Sequence, residues 1–111
     1  MKRSFVRIIA GKWRSRRVYF DDAPGLRPTQ DRVRETVFNW LQQSIQSTTC
    51  LDLFAGSGVL GFEALSRGAQ SVTFVDSHFE AVNAIKQNAR LLEVENQMIY
   101  HASIPCDLQS L

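Results

Sequence analysis

The segment from Cys50 to Gly61 most constrains how this chain can fold. It reads as a short apolar strand ending at Phe54, a turn containing Gly56 and Gly58, and an apolar helix. A strand, a glycine turn and a helix in this order present backbone N–H groups and a helix N-terminus to a nucleotide-like ligand. The two turn glycines lack a Cβ, so the backbone can take positive φ and a ligand can approach closely. We therefore predict an α/β fold with a ligand at the carboxyl end of this strand.

Two acidic residues narrow the choice of ligand. Asp76 follows a second apolar run, 72–75, at the position where a carboxylate accepts hydrogen bonds from ribose hydroxyls. Asp52 lies inside the first strand, which is normally apolar in a dinucleotide site, and its charge suits a ligand with an ammonium group. The pattern Asp-x-Phe-x-Gly-x-Gly resembles the S-adenosylmethionine loop of class I methyltransferases. A nicotinamide or flavin dinucleotide, and a turn without ligand in which Asp52 caps local N–H groups, remain open alternatives.

The remaining periodicity predicts a hairpin followed by parallel βαβ units. The expected elements are strands 5–9 and 15–20, a helix 30–46, a strand 50–54, a helix 59–66, a strand 72–75, a helix to about 93 and a strand 98–100. We expect residues 1–22 to form a basic hairpin extension and residues 23–111 to form the main domain.

Local predictions can be made for each of the three helices. The first helix should begin after Thr29 as N-cap and bury one apolar face, made of Val33, Val37, Phe38, Leu41 and Ile45. Ser77 and Glu80 have the spacing of a capping box at the start of the third helix. That helix should bury Phe79 together with Val82, Ile85, Ala89 and Leu92. Gly61 should let the second helix pack closely on its strand.

Charge is distributed unevenly along the chain. The formal net charge is +2, yet residues 1–34 hold ten basic and three acidic residues. A basic segment rich in arginine is typical of a surface that binds a polyanion, because the guanidinium fork suits phosphates and guanine edges. The alternative is a solvated basic pair of strands. The candidate RNA-binding residues are Arg7, Lys12, Arg14, Arg16, Arg17 and Arg27. For Trp13 we favour packing over base stacking.

The chain holds two cysteines, Cys50 and Cys106, too few and too scattered for a disulfide framework or a zinc site. We therefore expect no metal. The N-terminus is basic, but Arg7 interrupts its apolar run, so it does not read as a signal peptide. No apolar run reaches the length of a membrane span. The expected compartment is the reducing cytoplasm.

Several segments together resemble the bacterial small-subunit ribosomal RNA guanine-N2-methyltransferase family. They are 7–14 (RIIAGKWR), 26–41 (LRPTQDRVRETVFNWL), 51–58 (LDLFAGSG) and 63–68 (EALSRG), and the resemblance fades beyond about Asn88. It implies a Rossmann-like class I methyltransferase sheet, here a partial one of about three parallel strands after a β-hairpin. It also implies S-adenosylmethionine as cofactor, and small-subunit rRNA or the assembled small subunit as partner.

The resemblance further implies roles for single residues. The methionine end of the cofactor would contact Asp52, Phe54, Gly56, Ser57 and Gly58, and Asp76 would hold the ribose hydroxyls. Side chains around Ser103 would flank the adenine, while Thr29 and Arg34 would close the pocket from the N-terminal side.

One family motif is missing from the sequence. The catalytic Asp-Pro-Pro-Phe, which follows a fourth strand in that family, has no match in the 111 residues. The sequence therefore predicts the cofactor-binding half of such an enzyme, inactive by itself, with no catalytic residue of its own. A non-catalytic RNA-binding module and a dinucleotide-dependent oxidoreductase remain as alternative functions.

Overall fold

The computed structural model describes residues 3–21, 31–53, 55–95 and 97–102. They form two antiparallel strands, three helices and three parallel strands. The elements are β1 (Arg3–Arg7), β2 (Arg17–Asp21), α1 (Asp31–Ile45), β3 (Thr49–Leu53), α2 (Val59–Ser66), β4 (Ser71–Asp76), α3 (Phe79–Leu91) and β5 (Gln97–His101). The predicted α/β order, with its hairpin and three parallel strands, is confirmed.

The three-stranded sheet has the order β3-β4-β5 and is parallel throughout. On one of its faces Val72 and Phe74 of β4 are fully buried, and the Phe74 ring packs on Phe62 of α2 with centroids 4.9 Å apart. A Cβ on Gly61 would lie 2.2 Å from the Phe74 ring, so only glycine permits this approach of helix and strand. The close packing predicted at Gly61 is confirmed.

The other face of the sheet is open among the described residues. Parallel registration places Leu51, Thr73 and Met98 in one row, and Leu53, Val75 and Tyr100 in the next. The leucines, Met98 and Tyr100 are exposed. Within the described part of the chain, β3 pairs only with β4. Parallel sheets are usually covered on both faces, and the described residues cover only one face of this sheet.

The hairpin shares the hydrophobic core of the main domain. Ile8, Trp13 and Val18 are buried in the same cluster as the apolar residues of α2, β4 and α3. The preference for packing at Trp13 is thus confirmed. A two-stranded hairpin is marginal alone, and here the domain supports it.

A buried carboxylate on α2 joins the hairpin to the helices. Glu63 accepts hydrogen bonds from the backbone N–H groups of Ile9 (2.9 Å) and Ala10 (3.1 Å) through its two oxygens. It also forms ion pairs with Arg67 at 2.9 Å and Arg34 at 3.5 Å. Because the carboxylate is fully buried, these partners are what make its charge tolerable there.

Two local predictions were wrong. The N-cap of α3 is His78, not Ser77. The carboxylate of Asp76 accepts a hydrogen bond from the His78 N–H, and the helix begins one residue later than the spacing predicts. Phe79, expected in the core, is 59% exposed and lies against His101 at the sheet edge.

The apolar face predicted for α1 is only partly buried. Phe38 and Ile45 lie in the core, whereas Val33, Val37 and Leu41 are exposed. The helix packs against α2 along one side, and this contact covers only part of its apolar stripe.

Candidate functional site

The turn after β3 is built from glycines with positive φ. Gly56 has φ 58° and Gly58 has φ 85°, a region that side chains with a Cβ rarely adopt. A Cβ on Gly58 would approach Phe62 to 2.8 Å, so this glycine is also required by packing. A Cβ on Gly56 would meet none of the described residues within 4 Å. The space over Gly56 is therefore open in the described part of the chain, and a ligand can lie against the backbone there.

Asp76, at the end of β4, holds the glycine turn in place. Its Oδ2 accepts the Gly56 N–H at 2.9 Å, and its Oδ1 accepts the His78 N–H at 2.9 Å. Burial by itself raises the pKa of Asp76, but these hydrogen bonds and the His78 ring outweigh it and hold the pKa below its usual value. The group is thus an anion at neutral pH, and Oδ2 keeps a lone pair for a ligand hydroxyl.

Asp52 lies in β3 beside this anion. Burial, opposed by a hydrogen bond from the Gly61 N–H and assisted by the charge of Asp76, raises the pKa of Asp52 to about 6. Its Oδ2 atom is buried and accepts no hydrogen bond from the described residues. A buried carboxylate oxygen without a partner is costly, so this atom provides a place for a cationic or hydrogen-bonding group of a ligand.

The other residues predicted to bind the cofactor lie in three kinds of place: the glycine turn, the buried core and the part of the chain outside the described residues. Ser57 lies in the turn, and its backbone carbonyl accepts a hydrogen bond from Asn88 at 3.2 Å. Arg34 is fully buried, pairs with Glu63 and donates to the Arg7 carbonyl at 2.6 Å. A side chain enclosed in this way joins α1 to the hairpin, and its expected role at the cofactor pocket stays a prediction. Phe54, Thr29 and Ser103 lie outside the described residues.

One face of the hairpin carries two arginines and two aromatic rings. Pairing in the β1–β2 register places Phe5 opposite Tyr19 and Arg7 opposite Arg17. The guanidinium carbons of Arg17 and Arg7 lie 4.4 and 5.3 Å from the centroid of the Phe5 ring. These two aromatic residues were not among the candidate RNA-binding residues predicted from the sequence. Their alternation with arginine along each strand was the available signal, because residues two apart in a strand share a face.

The remaining basic residues lie in the turn between β1 and β2. Lys12, Arg14 and Arg16 are exposed, with the Lys12 ammonium 4.6 Å from the centroid of the Trp13 ring. Arg16 donates to the Leu91 carbonyl at the end of α3 at 2.9 Å. Five of the six predicted RNA-binding residues thus share the hairpin surface, and Arg27 lies outside the described residues.

Neither a metal-binding cluster nor a membrane-spanning helix is found in the described ranges. They contain no group of three or more histidine, cysteine, aspartate or glutamate side chains able to hold a metal ion. They also contain no helix that is long and apolar enough to cross a membrane.

A parallel sheet with a glycine turn after its first strand and an acid after the next is the arrangement of Rossmann-like folds, which class I methyltransferases share. A structure of a protein-L-isoaspartate O-methyltransferase from Plasmodium falciparum, solved with S-adenosyl-L-homocysteine, shares this fold at 18% identity. Its TM-score is 0.59, and the match covers 76% of this chain and 44% of that one.

The chain belongs to the family described as Conserved hypothetical protein 95, whose model matches residues 6–107. The ribosomal RNA small subunit methyltransferase D of Haemophilus influenzae is 52% identical over 92 residues, which are 83% of this chain and 48% of the relative. The structure of a candidate methyltransferase from Escherichia coli matches with a TM-score of 0.82 at 40% identity, covering 90% of this chain and 53% of that one. The family resemblance and the fold class are confirmed, and the chain spans about half the length of the relatives it matches.

The raised pKa of Asp52 predicts a change in stability with pH. The pKa of Asp52 in the folded protein, about 6, exceeds the ordinary value of 3.8. The contribution of this group to folding stability is therefore fully present below pH 3.8 and is lost as the pH rises through 6. An amide at this position does not ionise. The free energy of unfolding of Asp52→Asn should therefore rise by up to about 3 kcal/mol relative to that of the wild type between pH 4 and pH 7. Urea unfolding at the two pH values measures this gain. Glu35→Gln, at an exposed carboxylate, is the control, and an equal Asp52→Asn difference at both pH values would contradict the assignment.

Proposed function

We propose that this chain forms the cofactor-binding half of an enzyme that methylates small-subunit rRNA. The methyl group would pass from S-adenosylmethionine to the exocyclic N2 amine of a guanine. The observation that carries the proposal is the buried Oδ2 of Asp52, which has no hydrogen-bond partner among the described residues, four positions before the open backbone of Gly56. The family membership and the methyltransferase relatives support it.

The residues present fit S-adenosylmethionine. Asp52 would accept the ammonium of the methionine end, which supplies the missing partner of its buried oxygen. The methionine chain would lie over Gly56, and Asp76 would accept the ribose hydroxyls while still holding the Gly56 N–H. When bound, the cofactor supplies a methyl group already activated by the sulfonium. The task of these residues is therefore to bind it and fix its orientation.

The hairpin face supports RNA as the partner. Exposed arginines there can bind phosphates, and Phe5 and Tyr19 offer aromatic surface on which an unpaired base can stack. We propose rRNA, free or in the small subunit, as the molecule that lies on this face, which would place the protein in the cytoplasm.

Two other functions compete with this one. A non-catalytic RNA-binding module would use the same hairpin but leave the glycine turn without a ligand. A dinucleotide-dependent oxidoreductase would use the turn, but the Asp52 carboxylate next to Asp76 adds a second negative charge where such a site is normally apolar. Calorimetry with S-adenosylhomocysteine and NAD side by side separates the three. We expect binding of the first ligand alone.

Replacing the acid at the end of β4 should weaken cofactor binding. Asp76→Ala removes the ribose acceptors and the bond to the Gly56 N–H, a loss of about 1.5–3 kcal/mol in S-adenosylhomocysteine binding. Calorimetry measures it, and Glu80→Ala, at an exposed carboxylate in the first turn of α3, is the control. Unchanged affinity in Asp76→Ala would overturn the ribose assignment.

Removing hairpin charge should weaken RNA binding without changing cofactor affinity measured in the absence of RNA. We replace three arginines together by alanine: Arg14, Arg16 and Arg17. For single-stranded RNA, the slope of log affinity against log salt concentration should become less negative by about 2, because fewer counterions are released. Lys86→Ala with Arg90→Ala, on α3, controls for general charge loss. If the triple variant keeps the wild-type affinity and salt slope, the hairpin is not the RNA-binding surface.

We further propose that the 111-residue polypeptide does not transfer methyl groups by itself. A guanine N2 amine is a weak nucleophile that needs acceptors on its hydrogens and a fixed, stacked base. No Asp-Pro-Pro-Phe motif is present in the sequence to supply them. The assay follows labelled methyl groups from S-adenosylmethionine to small subunits that lack the modification. Turnover by this polypeptide, free of contaminating enzyme, would show that residues 1–111 hold another catalytic group.

A further inference from the structure

Asn88 connects the hairpin to the glycine turn through one buried side chain. The residue lies on α3 and is fully buried. Its Oδ1 accepts the Tyr19 N–H at 2.9 Å, and its Nδ2 donates to the Tyr19 carbonyl at 2.8 Å. The same Nδ2 donates to the Ser57 carbonyl at 3.2 Å. Both amide hydrogens therefore have acceptors, one on β2 and one in the turn.

The pair of bonds to Tyr19 has the form of a strand pairing. A backbone N–H and carbonyl that would otherwise face an open sheet edge bind the two ends of one amide, as they would a neighbouring strand. The hairpin is thus held at Tyr19 by a side chain of the main domain. If Asn88 served only to stabilise the hairpin, these two bonds to Tyr19 would be sufficient.

The third bond reaches the site itself. The Ser57 carbonyl and the Gly58 N–H belong to the same peptide plane, and Gly58 donates to the Ala55 carbonyl at 2.9 Å. Asn88 and Ala55 therefore hold this plane from opposite ends. Since Gly58 has φ 85°, the orientation of the plane sets the shape of the turn.

We propose that Asn88 is a positioning residue that couples the hairpin to the glycine turn, so that RNA on the hairpin and cofactor at the turn strengthen each other's binding. The coupling rests on the proposed function, whereas the structural link from Tyr19 to Ser57 does not. A ligand that orders the hairpin would also order the peptide plane through Asn88, and thermodynamic linkage makes the effect reciprocal.

The first test needs no ligand. Amide hydrogen exchange is compared among the wild type, Asn88→Ala and Asn83→Ala, a control at a half-buried asparagine on the same helix. In Asn88→Ala the amides of Tyr19 and Gly58 should exchange at least about tenfold faster, while the buried Phe74 amide in β4 changes much less. If Asn88→Ala does not fold, Asn88→Ser, which keeps a hydroxyl, gives the same comparison. Equal acceleration at all three amides, or acceleration at Tyr19 alone, would overturn the link.

The second test measures the coupling. In the wild type, a saturating small-subunit rRNA fragment should tighten S-adenosylhomocysteine binding by about fivefold or more, and in Asn88→Ala this factor should fall toward one. Asn83→Ala should keep the wild-type factor. Equal factors in the wild type and Asn88→Ala would overturn the coupling. If the wild type fails to bind S-adenosylhomocysteine, the proposed function and the coupling fall together, and the exchange data still decide the link from Tyr19 to Ser57.

Discussion

The buried carboxylate of Glu63 is the interaction on which the rest of the structure depends. It lies inside the apolar helix α2 and binds two backbone N–H groups of the hairpin and two arginines. Removing one partner from a buried ion pair typically costs about 3–5 kcal/mol, a large part of the stability of an ordinary domain. Glu63 therefore fixes the basic hairpin against the same helix whose N-terminus follows the glycine turn.

This arrangement brings two surfaces of different chemistry onto one small body. The hairpin face presents arginines and aromatic rings, and the site at the ends of β3 and β4 combines two carboxylates with the glycine backbone of the turn. Glu63 holds the hairpin from α2, and Asn88 holds it from α3 while also binding the turn. Among the described residues, the open face of the sheet and part of α1 also expose apolar side chains.

Most of the fold could be predicted because periodicity and glycine positions are local signals. The strand, turn and helix around Gly56 were predicted, as were Asp76 at the end of its strand and the close packing at Gly61. The start of α3 was misassigned because Asp76 binds the His78 N–H, a contact that spacing alone does not reveal. The buried role of Arg34 was missed because it depends on Glu63, 29 residues further along the chain. A glutamate within the apolar segment 59–66 was the one available signal for that pairing.

The central claim is that Asp52 receives the cationic end of S-adenosylmethionine, and the pH dependence of S-adenosylhomocysteine affinity tests it most directly. A cation binds the ionised carboxylate, and the pKa of Asp52 in the free protein is about 6. The affinity should therefore rise by up to about tenfold per pH unit below 6 and level off above about 7, and Asp52→Asn should show a flat, weaker profile. Equal wild-type affinity at pH 5 and pH 7.5 would contradict the account.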